Sequence, residues 1–148
     1  MAFRLVSDPM DTQVISVPIS SLAVTVGEVL EWDLAGVAWT AGDAATMAYQ
    51  RKVVATESAT ASATSAKGVV VHPRQLWSAD SANTANATHN GDRMLLASGG
   101  LTVNNTGTDD VTNEACFVQS GIDNSGGKTT VILGYFTGSC DGSNPLAT

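Results

Sequence analysis

Three carboxylates lie close together in the sequence: Glu28, Glu31 and Asp33. Closely spaced acids of this kind can act as a pair in catalysis or in metal binding. On an extended strand Glu31 and Asp33 point to the same face, about 6–7 Å apart. That spacing suits glycoside hydrolysis or a calcium ion. The solvated face of an edge strand explains the same pattern, and we favour it. Two further oxygen-bearing pairs, Asp109-Asp110 and Asp123-Asn124, match no calcium-loop motif and indicate ordinary turns.

The histidines and cysteines form no recognisable catalytic or metal-binding pattern. His72, His89, Cys116 and Cys140 lack the close spacing of zinc ligands, and no G-x-S-x-G motif marks a serine nucleophile. We expect a structural His72, an exposed His89 and a buried Cys116. The sequence therefore predicts no enzyme, no metal and no cofactor. Whether Cys116 and Cys140 are bonded stays open, although synthesis in a reducing cytosol favours thiols.

A glycine-rich stretch, residues 125–130, ends in Gly-Lys-Thr and is similar to part of a phosphate-binding loop. Such a loop needs an earlier glycine and opens a helix. Here Ile122 occupies the position of that glycine, and a strand-like segment follows. We therefore predict a β-hairpin turn.

Composition excludes several classes of protein. The chain has 148 residues, of which 43% are hydrophobic and 14% charged, and a net charge of −7. An acidic chain disfavours nucleic acid, which needs clustered Lys and Arg. No apolar run is long enough to span a membrane, and the first residues lack the apolar core of a secretory signal.

Short alternating segments separated by Gly, Asn and Ser turns dominate the chain. Residues 12–26 and 28–34 alternate with the period of strands, and 129–137 is the strongest strand candidate. Residues 47–55 also favour a strand, whereas 74–91 suggest a short helix near 76–82 or a functional loop. Together these segments predict an all-β sandwich or barrel of about eight to ten short strands.

The N-terminal residues 1–11 lack a regular period and contain Asp8-Pro9. This segment is typical of an extended arm or of a first edge strand. We treat it as an N-terminal arm, followed by a single β domain over residues 12–148.

Several segments resemble the capsid decoration, or head cement, proteins of tailed bacteriophages. They are Val26-Gly-Glu-Val-Leu-Glu-Trp-Asp, Val37-Ala-Trp, Ala66-Lys-Gly-Val-Val-Val and Gly91-Asp-Arg-Met-Leu-Leu-Ala-Ser-Gly-Gly. The resemblance covers about residues 20–137. It implies a structural virion protein that is made in the host cytoplasm and stabilises the capsid exterior. Its partners would be the major capsid protein and neighbouring copies, as a dimer or trimer.

The candidate contacts for such partners come from the arm and from one tryptophan: Phe3, Arg4, Leu5, Met10 and Trp77. An arm can add a strand to a neighbour's sheet, and Trp and Arg are enriched in interface hot spots. Core packing is the alternative for these residues. An alternative function is another phage virion β-module, such as a tail component or a glycan-binding adhesin, which exposed tryptophans would favour.

Overall fold

The prediction of an all-β fold is confirmed. The computed structural model describes residues 2–9, 13–33, 38–43, 46, 50–105 and 116–137. These residues form eleven strands and three short 3-10 turns. Within them there is no helix long and apolar enough to cross a membrane.

The strands are short, because turn residues interrupt the apolar alternation every few positions. They are β1 Arg4–Ser7, β2 Val14–Pro18, β3 Val29–Trp32, β4 Trp39–Ala41, β5 Lys52–Ala55, β6 Ser65–Val70, β7 Leu76–Ser81, β8 Arg93–Ala97, β9 Thr102–Asn104, β10 Phe117–Ile122 and β11 Val131–Phe136.

The first sheet has the order β1-β7-β11-β10-β8-β9 and closes on itself. Closure comes from a parallel pairing of β9 with β7, in which Asp80 faces Thr102 and Ser81 faces Val103. Strand β1 pairs with the same edge of β7 as β9 does, but nearer the start of β7. Strand β1 therefore lies outside the ring. The turn at residues 123–130 joins β10 to the antiparallel β11, so the predicted hairpin is confirmed.

The second sheet has the order β2-β6-β5-β3-β4, with every neighbouring pair antiparallel. A single parallel bridge between Ile19 and Trp39 connects its two outer strands. Strand β3 therefore lies inside this sheet, between β4 and β5. The edge strand expected for Glu31 and Asp33 is wrong for this reason.

Two hydrophobic clusters hold the sheets together. The larger is aromatic and combines the inward face of the first sheet with Val29, Val54 and Val69 of the second. Because strand side chains alternate, the neighbouring row of Leu30 and Val53 points the other way. That row belongs to the smaller, mainly aliphatic cluster inside the second sheet.

Two segments differ from the expectation. Residues 76–81 form strand β7 instead of a helix or a loop, and Trp77, Ala79 and Ser81 point inward as alternate residues. Residues 4–7 form an edge strand, which is one of the two alternatives predicted for them. Phe3, directly before it, is buried in the aromatic cluster. Residues 3–7 are therefore packed against the rest of the described chain.

Candidate functional site

A groove of about 420 Å³ runs over the outer face of strands β1, β7 and β11. Its position follows from the strand register. Arg4 lies opposite Ser78, and Ser78 lies opposite Leu133, so one row of side chains crosses three strands on this face. Asp80 lies opposite Val131 in a second row.

The floor of this groove is aliphatic. Leu5, Ile122, Val131 and Leu133 line it, and each side chain is only partly buried. Val131 and Leu133 belong to the outer face, whereas Leu5 and Ile122 also pack against the larger hydrophobic cluster. Val6, at a register shift in β1, also lines the groove and is 52% exposed. Single exposed apolar residues are ordinary, whereas a contiguous apolar surface with a polar rim marks an interaction site.

One end of the rim carries an ion pair. Lys128 donates to a carboxylate oxygen of Asp123 at 2.7 Å, and the backbone and hydroxyl of Ser125 donate to the other oxygen. These bonds, the one from Lys128 first, lower the pKa of Asp123 to about 2. Asp123 is therefore ionised and already satisfied within its own turn.

Arg4 lies on the same rim with its side chain exposed. Among the described residues, none forms an ion pair with it. Arg4 therefore offers its guanidinium, with five N–H donors, to an outside acceptor.

The structure divides the predicted contact residues into two groups. Arg4 and Leu5 line the groove. Phe3 and Trp77 are core residues instead, 4% and 1% exposed. The ring centroid of Phe3 lies 5.6 Å from that of Phe117, and both rings pack against Phe136. Neither Phe3 nor Trp77 is available to a partner in this conformation. Met10 lies outside the described residues.

A second polar cluster surrounds Lys52, which is only 1% exposed and which sequence reasoning missed. Its ammonium donates to the backbone oxygen of Gln50 at 2.7 Å, and Glu31 lies opposite it on β3. Burial raises the pKa of Glu31, and a hydrogen bond with Thr46 opposes that shift. The solvated face expected for Glu31 is therefore wrong. No local pattern marked Lys52, because all four residues of β5 are buried and the strand shows no alternation.

The remaining candidates have local structural roles. Glu28 accepts a hydrogen bond from the Thr25 backbone, and burial raises the pKa of its carboxyl group. The ring of His89 contacts the carboxylate of Asp92 at 2.9 Å. Cys116 is buried, as predicted.

Residues 109–110 and Cys140 lie outside the described part of the chain. Within that part, no group of three or more His, Cys, Asp or Glu side chains is placed to hold a metal ion.

Comparisons with known proteins add no relative. No protein-family model matches the chain. Searches of curated proteins and of solved structures also gave no match. The groove and the residues around it are therefore the features from which a function can be inferred.

Proposed function

We propose that this protein is a structural virion protein that binds the outside of a tailed-phage capsid lattice and stabilises it. The observation that carries the proposal is the groove over β1, β7 and β11. Its apolar lining stays partly exposed: Val131 and Leu133 face outward, and Leu5 and Ile122 are only partly buried although they also pack against the larger hydrophobic cluster. Such a surface serves binding better than it serves folding.

The residues that carry the resemblance to decoration proteins support this proposal. Val26–Asp33 contains β3, Ala66–Val71 contains most of β6, and Gly91–Gly100 contains β8. The motifs thus fall on the framework strands and on the turn after β8. This placement fits motifs that specify a fold.

The charge distribution supports the same role. The chain has a net charge of −7, which disfavours attachment to a packaged genome. A protein that binds only the assembled lattice stabilises it by mass action, since every bound copy favours the assembled state. Neighbouring copies on the lattice, as a dimer or trimer, would add avidity.

Glycan binding receives less support from the described tryptophans. Trp77 and Trp39 are buried, and Trp32 packs against Trp39 with ring centroids 5.9 Å apart. Among the described residues that line the groove, none is aromatic.

The experiment mixes the purified protein with expanded, undecorated capsids of the phage that encodes it. Co-sedimentation measures binding, and calorimetry measures the melting temperature of the capsid. We expect saturable binding and a raised capsid melting temperature. A protein that stays in the supernatant at saturating concentration, while a glycan array gives a signal, would overturn the proposal in favour of an adhesin.

A further inference from the structure

The groove over β1, β7 and β11 is built for one kind of ligand. We propose that it binds an extended peptide segment of a partner protein in which apolar side chains flank a single carboxylate. This inference deepens the proposed function and rests on it, because it names the chemistry by which a virion partner would be recognised.

The aliphatic side chains on the floor of the groove indicate that part of the bound peptide is apolar. Leu5, Ile122, Val131 and Leu133 give a branched aliphatic surface, and the groove of about 420 Å³ has room for a few side chains. Sites of this size bind mainly through apolar contact and use a few polar groups to fix orientation. An extended segment presents alternate side chains to one surface, which suits a groove that runs across three strands.

The charges on the rim indicate that the bound peptide carries a carboxylate. Asp123 and Lys128 satisfy each other, and Asp80 has partners of its own. That leaves Arg4 as the lining charge that no described residue pairs with. An arginine fork binds a carboxylate through two parallel hydrogen bonds. Arg4 lies in the same row as Leu133, so one segment can reach both side chains.

The test uses a random heptapeptide library displayed on a carrier, selected against the intact protein. Enriched peptides are synthesised with a fluorescent label, together with versions in which the acid is replaced by its amide. We expect enriched sequences with one Asp or Glu between apolar residues. The amide versions should bind about tenfold more weakly, as expected for loss of a charge-assisted hydrogen bond.

Two variants and one control locate the interaction. Arg4→Gln should remove the preference for the acid over the amide peptide, whereas Lys67→Gln should keep it, because Lys67 is exposed on the second sheet and makes the same change in net charge. Leu133→Ser should weaken the acid and the amide peptide alike. Amide NMR shifts on titration should change in β1, β7 and β11.

Several results would overturn the proposal: no enrichment from the library, enriched peptides without an acid, or an undiminished preference of Arg4→Gln for the acid peptide. Shifts confined to another surface, or self-association through β1 in the absence of peptide, would do the same. No capsid is present in this experiment. Its failure therefore leaves the capsid-binding result standing, and failure of capsid binding leaves this result standing.

Discussion

Strands β7 and β11 have two faces that differ in what covers them. On the inner face Trp77, Ala79, Ile132 and Phe136 are almost completely buried. On the outer face Ser78, Asp80, Val131 and Leu133 line an open groove. Folding alone buries the inner face, whereas the outer face keeps part of its apolar surface in contact with water. The comparison separates residues that hold the fold from residues that would contact a partner under the proposed function.

The largest expected effect comes from emptying the inner face. Phe136→Ala should lower the free energy of unfolding by about 3–5 kcal/mol, because it removes a ring that packs against Phe3, Trp77 and Phe117. Urea denaturation measures the change. Tyr135→Ala, one residue earlier and 39% exposed, is the control and should cost less than about 1 kcal/mol. Equal losses in the two variants would contradict the assignment of faces.

A smaller loss should follow from overfilling the inner face. A Cβ atom at Gly134 would lie 2.6 Å from the Phe117 ring and 2.2 Å from the Val118 backbone oxygen. Gly134→Ala should therefore cost about 1–3 kcal/mol. Gly121→Ala, on the neighbouring strand and with open space around it, should change stability little. If urea denaturation gives the same midpoint for both, the close packing at Gly134 is refuted.

The outer face should behave in the opposite way. Leu133→Ser should change the free energy of unfolding by less than about 1 kcal/mol, because the side chain is only half-buried. It should nevertheless abolish binding to capsids in the co-sedimentation assay. A variant that binds normally would show that the groove has no part in binding.

The smallest effects are those of pH, and they have opposite signs at two sites. Burial raises the pKa of Glu31 above its ordinary 4.5. Its contribution to stability is therefore complete below 4.5 and is lost as the pH rises through the raised value. Glu31→Gln should reduce that decline in a series of urea denaturations between about pH 4 and pH 7. The part of the decline that comes from Glu28, whose pKa burial also raises, should remain. An unchanged decline would contradict the burial of Glu31.

Asp123, on the rim of the groove, should show the reverse. Its pKa is lowered from 3.8 to about 2, so its contribution is present above 3.8 and is lost as the pH falls towards 2. Asp123→Asn should remove that loss, and added salt should weaken the effect because the group is exposed. A loss of stability that persists in the variant would contradict the ion pair with Lys128.

The fold was predictable where side chains alternate strongly. Residues 129–137 indicated a strand, and β11 occupies Val131–Phe136 within them. Strand β7 was not predictable, because Ser78, Ala79, Asp80 and Ser81 have small or polar side chains that hide the alternation. Residues 76–81 form a strand because Trp77 and Ala79 pack into a core to which distant parts of the chain contribute.

The candidate site was predictable only in part. Arg4 and Leu5 were expected to contact a partner, and both line the groove. Val131 and Leu133 gave no such signal, because an outer-facing Leu in a strong strand looks like a core residue. The strand order also places Glu31 opposite Lys52 in the sheet interior. Strand order cannot be predicted from local sequence patterns. Local alternation predicts strands, whereas surfaces depend on which strands become neighbours.

The most direct test of the binding face is hydroxyl-radical footprinting of the protein bound to capsids. Two exposed apolar side chains serve as reporters: Tyr135 beside Leu133 on the outer face of β11, and Ile15 on β2 of the second sheet. Binding through the groove predicts protection of Leu133 and Tyr135 and unchanged reactivity of Ile15. Protection of Ile15 with unchanged Leu133 would contradict the account.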